Sequence, residues 1–190
     1  EMVNGIFGWS NSILNLTVKN SYIKGTTGTA GIVGVLWEGI MDNCHNVNTT
    51  VIGTSGFSFG GIVGQSSGDI SNCSNTGKII GSKNSNNNSQ TGGIVGYTYN
   101  NVNNCWNIGI ISGEGGYVAG IAGILGKSAQ ITACYNTGKI TGNESIAGIA
   151  GAAYKSTQIT DCYNTGKITG NENVAGVVGF AANIVTRCYN

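Results

Sequence analysis

The chain holds 190 residues, of which 33 are glycine, none is proline and 9% are charged, with a formal net charge of +1. Charges so few and so nearly balanced give no field strong enough to gather nucleic acid and no acidic shell. No run of about 18 apolar residues exists to cross a membrane as a helix, and the composition does not shift along the chain, so residues 1–190 read as one domain.

In chain order, the first recurring phrase is Gly5-Ile6-Phe7-Gly8. It returns as Gly31-Ile32-Val33-Gly34, Gly61-Ile62-Val63-Gly64, Gly93-Ile94-Val95-Gly96, Gly120-Ile121-Ala122-Gly123, Gly148-Ile149-Ala150-Gly151 and Gly176-Val177-Val178-Gly179. Successive first glycines lie 26, 30, 32, 27, 28 and 28 residues apart, inside the period of about 20 to 50 that marks solenoids. A second phrase follows every copy but the first: Cys44-His45-Asn46, Cys73-Ser74-Asn75, Cys105-Trp106-Asn107, Cys134-Tyr135-Asn136, Cys162-Tyr163-Asn164 and Cys188-Tyr189-Asn190. In the first copy the stretch Val18-Lys19-Asn20-Ser21 puts Ser21 at the cysteine place and Ile23 at the asparagine place. Three residues before each of these places stands an apolar residue: Val18, Met41, Ile70, Val102, Ile131, Ile159 and Val185.

In its fullest form the second phrase runs Cys134-Tyr135-Asn136-Thr137-Gly138-Lys139-Ile140-Thr141-Gly142, with Cys, Asn, Gly, Ile and Gly at every second place. Side chains two apart share one face of a strand, whereas a helix would scatter them. One such unit cannot bury its apolar face alone, so the copies stack. The expected fold is all-β, a parallel β-solenoid of about seven coils of roughly 28 residues, with three short strands per coil and glycine corners that take up positive φ.

Stacking in register makes two structural ladders. Cys44, Cys73, Cys105, Cys134, Cys162 and Cys188 form one; Asn46, Asn75, Asn107, Asn136, Asn164 and Asn190 form the other, with amide hydrogen bonds passed from rung to rung. One cysteine per coil at an equivalent place argues for buried free thiols rather than a disulfide framework, because neighbours in a ladder have parallel Cβ vectors that fit the disulfide torsion poorly. Zinc needs convergent ligands rather than a row. No metal and no cofactor are expected. Residues 82–90, Ser82-Lys83-Asn84-Ser85-Asn86-Asn87-Asn88-Ser89-Gln90, read as a polar loop extruded from the rod.

Catalytic arrangements are scarce. His45 is the only histidine and occupies the variable place between Cys44 and Asn46, where other copies carry Ser, Trp or Tyr, so it reads as an outward side chain. Glu1, Glu144 and Glu172 recur four residues before a first glycine, which suggests a stacked acidic edge near Lys139 and Lys167 rather than a general acid and base. A contact surface is the more promising feature. If the isoleucine row points inward, alternation turns Phe7, Val33, Val63, Val95, Ala122, Ala150 and Val178 outward, extended two places on by Trp9, Val35, Gln65, Tyr97, Ile124, Ala152 and Phe180. That stripe would take a partner. A bend after the isoleucine would instead turn both rows inward and abolish it.

Ala119 to Gly142 and Ala147 to Gly170 combine small-Gly-Ile-x-Gly with a downstream Cys-Tyr-Asn-Thr-Gly-x-Ile-x-Gly, and in this they resemble the GLUG-repeat family of bacterial secreted and surface proteins. The first two copies depart from the pattern at Ser21 and at Asn48, which stands where a glycine is usual. The resemblance implies adhesin-like proteins and the non-catalytic region of immunoglobulin-cleaving metallopeptidases. It carries over no catalytic residue, and the zinc-binding His-Glu-x-x-His phrase is absent. The chain opens in the middle of a repeat and closes before a Thr-Gly-x-Ile strand, so it reads as a fragment of a longer array. The leading functional reading is a non-enzymatic extracellular rod, a stalk or adhesive region of a bacterial surface protein, with a protein or glycan partner. The alternatives are a self-associating, fibre-forming module that pairs with neighbouring copies, and a glycan-acting β-helix enzyme.

Overall fold

The computed structural model describes residues 4–181 and 184–190, and every regular element in it is a β-strand. Each coil has five strands; in the second coil they are Val33–Leu36, Ile40–Asp42, His45–Val47, Thr50–Gly53 and Phe59–Gly60. Equivalent strands of successive coils pair in parallel to build five walls, the first two seven-stranded and the others six-stranded. The molecule is therefore a parallel β-solenoid of about six full turns, with the seventh copy contributing only Val178–Ala181 and Ile184–Thr186.

Five strands replace the expected three because a corner after the asparagine cuts the period-two phrase and the bend in the Gly-x-x-Gly phrase sets a short strand such as Phe59–Gly60 apart from Val63–Ser66. Residues directly before the cysteines adopt left-handed backbone, with φ of 51° at Asn43, 52° at Asn72, 50° at Asn104, 53° at Ala133, 56° at Asp161 and 50° at Arg187. The second corner follows the asparagine. Gly77 N–H donates to the Asn75 side-chain oxygen at 3.1 Å, and Gly109 N–H to that of Asn107 at 3.2 Å, so each asparagine folds the chain back in an Asx-type turn.

Glycine serves a different purpose from the one expected. Among the described residues positive φ falls on only three glycines, Gly28, Gly39 and Gly56, and on none in the Gly-x-x-Gly phrase. Space is what the phrase requires. A Cβ on Gly148 would lie 2.2 Å from the Gly176 carbonyl oxygen and 2.4 Å from Asn164 Cβ, and Gly61, Gly93 and Gly120 are confined in the same way by Asn75, Asn107 and Asn136. The first glycine of each phrase thus lies directly against the asparagine of the opposite wall. This waist separates two cores. The larger is lined by Ile32, Val33, Leu36, Met41 and Cys44 and their equivalents, and the smaller by Val51, Phe59, Ile79, Ile111, Val118, Ile140 and Ile146.

Register corrects the reading of the first coil. Thr17 pairs with His45 and Val18 with Asn46, while Ile13 pairs with Met41. The cysteine place is therefore held by Leu16 and the asparagine place by Val18, and Ser21 and Ile23 lie further on. Asn48 is likewise not a replaced glycine. Asn46 pairs with Asn75 but Val51 with Ile79, so the second coil has one extra residue at this corner, and Asn48 absorbs it with φ of 51°.

The polar segment after Gly81 closes on itself. Asn84 Oδ1 accepts from the N–H groups of Asn86 and Asn88 at 3.1 and 3.0 Å, and Ser89 Oγ donates to the Ser82 carbonyl at 2.6 Å. Gln90, the last residue of the expected loop, already belongs to the strand Gln90–Gly92.

An L-residue other than Asn or Asp at left-handed φ carries a steric cost of about 1 to 2 kcal/mol. Ala133, exposed and at φ of 53°, is such a residue. Ala133→Gly is expected to stabilise the fold by about 1 kcal/mol, measured by denaturant unfolding, despite the usual entropic cost of glycine. An unchanged or lowered midpoint would show that the corner is unstrained.

Candidate functional site

Both ladders exist. Asn46 Nδ2 donates to Asn75 Oδ1 at 2.8 Å, and the same bond runs from Asn75 to Asn107, Asn107 to Asn136 and Asn136 to Asn164 at 2.7 Å each, then from Asn164 to Asn190 at 2.6 Å. The second amide proton bonds the glycine carbonyl two residues on, at 2.9 Å for Asn136 and Gly138. Asn46 Oδ1 is buried without a partner. Its neighbour on the first coil is Val18, which has nothing to donate.

All six cysteines are free, five of them buried and Cys188 half-buried. Each thiol donates to the carbonyl two residues back, as Cys73 does to Ser71 at 3.0 Å, and Cys105, Cys134 and Cys162 also accept from the preceding coil, as Cys134 Sγ does from Cys105 N–H at 3.3 Å. Burial, followed by the bonds to Cys134 and Cys73, holds the Cys105 thiol well above its ordinary value. It stays protonated and inert at neutral pH.

The contact stripe does not exist as expected. Val33, Val63 and Val95 are fully buried, and Val178 is half-buried in its incomplete coil. The reason is the bend at the isoleucine: Ile62 N–H and Val63 N–H both donate to the Ile94 carbonyl at 3.0 Å, so two consecutive side chains turn inward. The second row is interrupted as well, because Trp9 and Phe180 are exposed but Val35, Ile124 and Ala152 are buried. Tyr97 and Gln65 keep a part in a surface site, described below. The acidic edge is not paired either. Glu144 and Glu172 occupy successive coils without an ion pair to Lys139 or Lys167; among the described residues Arg187 pairs with Asp161, Nε to Oδ1 at 2.6 Å. Glu1 lies outside the described residues.

The exposed chemistry lies instead in two aromatic surfaces. The first is the place between cysteine and asparagine, where His45, Ser74, Trp106, Tyr135, Tyr163 and Tyr189 stack in register. Tyr135 and Tyr163 have ring centroids 4.9 Å apart and planes within 4°, Tyr163 and Tyr189 are 5.1 Å apart at 4°, and Trp106 stands 6.0 Å from Tyr135 at 8°. His45 is fixed by Ser74 Oγ at 2.8 Å on Nδ1 and by Asn43 Oδ1 at 3.1 Å on Nε2. It lies in an outer row rather than beside a nucleophile. Burial, then the repulsion from Tyr135 and Tyr189, raises the Tyr163 phenol above its ordinary value. The sequence signal for this row was its position, outward and in register, once the cysteines on either side are placed inward.

The second surface is a concave basin of about 520 Å³ lined by Tyr97, Tyr99, Lys127, Tyr154 and Lys155. It adjoins a smaller hollow of about 200 Å³ that shares Tyr97 and Tyr99 and adds Phe57, Ser58, Gln65 and Gln90. Tyr97 and Tyr99 have centroids 4.6 Å apart, tilted by 58°. Burial and a hydrogen bond with Tyr99 push the Tyr97 phenol up. A Cβ on Gly126 would meet Tyr99 Cδ1 at 2.9 Å and Tyr97 Oη at 3.1 Å, so this glycine lets the tyrosine pair lean across the next coil. A third depression, polar and about 790 Å³, runs between the 82–90 segment and the following coils, with Lys83, Asn84, Ser112, Glu114, Thr141 and Asn143 in its lining.

Two measurements check the ladders. Asn136→Ala leaves Asn107 without an acceptor and Asn164 without a donor inside the waist, and is expected to cost about 2 to 4 kcal/mol of stability; a loss below about 0.5 kcal/mol would show that the amides do not act as a chain. Thiol titration without reductant is expected to find six reactive groups in denaturant and very few in the native state, whereas recovery of disulfides would contradict the inward row.

The family model described as the GLUG motif matches residues 55–80 and 142–169. Each match covers a stretch between one smaller-core strand and the next, including Cys73 to Asn75 in one case and Cys162 to Asn164 in the other. No curated protein and no solved structure matches the chain. The two matched segments stack in register with the coils between them, so the chain is a β-solenoid that carries the GLUG motif in these two stretches.

Proposed function

We propose that this chain is a non-enzymatic rod, a stalk or adhesive region of a bacterial surface or secreted protein, which presents outward rows of side chains to a protein or glycan partner. The observation that carries this reading is the division of labour in each coil. Inward places are committed to stacking, with thiols packed in a row and amides bonded to one another, while the aromatic rows lie on the outside of an in-register frame. The GLUG repeats agree with an extracellular setting. The disposition of polar groups argues against turnover: His45 is engaged by Ser74 and Asn43, and the acids are dispersed along the rod rather than paired across a cleft.

Binding and turnover separate the readings. Purified chain immobilised on beads is expected to retain glycans or bacterial and host cell surfaces, and to release no reducing ends from a panel of polysaccharides on prolonged incubation. Release of reducing ends in proportion to protein would replace the rod by an enzyme. Scattering that grows with concentration, without any retention, would favour the self-associating module.

A further inference from the structure

We infer that the basin between Tyr99 and Tyr154 is a binding site for an acidic saccharide, a sugar chain bearing a carboxylate such as a sialic or uronic acid. The inference rests on the adhesive reading above and names its ligand class. Register places Tyr99, Gly126 and Tyr154 at one corner of three successive coils, since Thr98 pairs with Leu125 and Leu125 with Ala153. Gly126 N–H bonds the Thr98 carbonyl at 2.8 Å and Tyr154 N–H the Leu125 carbonyl at 3.0 Å. Two tyrosines thus stand two rungs apart, about 9.6 Å along the rod at the usual strand spacing, with a glycine between them. A recess flanked by aromatic faces is what the apolar face of a pyranose ring needs, and phenol hydroxyls at its edge can bond the sugar hydroxyls.

The charge is set by the next residue along each corner. Lys127 and Lys155 follow Gly126 and Tyr154, and the two turns are stacked through the Ser128 N–H bond to the Lys155 carbonyl at 3.4 Å. Both lysines are exposed and both line the basin. Like charges on stacked turns repel, and among the described residues neither ammonium has an ion-pair partner. The lining contains no carboxylate; Glu144 acts on Tyr117 to one side, where Tyr117 bonds Tyr154. An anion seated between the two lysines relieves their repulsion, and the tyrosine faces select a ring-bearing anion over a simple one.

The test is titration of the intact chain with 3′-sialyllactose and with tri-galacturonic acid, using lactose as the neutral control, followed by tyrosine fluorescence and by chemical-shift changes. Saturable binding of at least one acidic probe, weakened by added salt, with no response to lactose, is expected. Lys127→Gln with Lys155→Gln, both at exposed positions, should keep the melting temperature and lower the affinity by about tenfold or more. Tyr154→Ala should abolish the fluorescence response. Equal binding of lactose, no binding of either acidic probe, or an affinity unchanged in the double variant would overturn the site. Retention on a glycan surface that persists in the double variant overturns this basin and leaves the adhesive rod standing; loss of all retention, wild type included, removes both.

Discussion

Everything in this molecule hangs on the waist, where an asparagine amide on one wall meets a glycine on the other. The interior there is too narrow for any side chain beyond the amide itself: a Cβ on Gly120 would approach Asn136 Cγ to 2.4 Å. A polar group buried so deeply is costly unless every hydrogen-bonding valence is used. Stacking solves this, because each amide from Asn75 to Asn164 donates one proton to the next coil and one to its own glycine carbonyl, while its oxygen accepts from the preceding coil. Hydrogen bonds aligned head to tail polarise one another. Asparagine therefore fixes the register of the stack and folds each corner at once, and glycine is required because asparagine is there.

The cysteine ladder is the apolar counterpart of this device. A thiol is small enough for the space beside the waist and, as a weak donor and acceptor, can satisfy a carbonyl in its own coil while receiving an amide from the preceding one. Leu16 and Val18 show what happens without either residue. They fill the first coil at the places of cysteine and asparagine, and the amide chain ends at Asn46 with an unpaired oxygen.

Much of this was legible in the sequence. The period of about 28 residues gave the stacking, and alternation between Cys134 and Ile140 gave the inward face with both ladders. Corners were not legible, because period two does not distinguish one strand of nine residues from two short strands joined at a turn whose side chains also point inward. The same ambiguity misplaced the stripe. In Gly-Ile-Val-Gly, alternation assigns isoleucine and valine to opposite faces, and only the shared carbonyl acceptor at Ile94 reveals that the chain bends between Ile62 and Val63. The first coil was misread for a related reason: without Cys or Asn to anchor it, only pairing with the second coil sets its frame. The aromatic basin was hidden in turns, where Tyr99, Gly126 and Tyr154 look unrelated until three coils of different length are laid over one another.

Outer rows obey a looser rule than inner ones, and this is where the repeats acquire individuality. Inside, each residue must fit its own kind above and below, so a change in one coil is felt in two others. Outside, a row is constrained only by contact along the rod, and the place next to the cysteine accepts His45, Ser74, Trp106 and Tyr135 in turn. Where the occupants agree, as with Tyr135, Tyr163 and Tyr189, parallel rings about 5 Å apart bury one another's faces and add cohesion between coils. Where they differ, a gap opens. Ser74 leaves His45 tilted at 43° toward Trp106 across a missing ring, and Gly126 leaves the recess between Tyr99 and Tyr154. Uniform rows thus strengthen the rod and broken rows create concavity in it, so recognition sites on such a frame arise where the outer repeat is interrupted while the inner one continues unchanged.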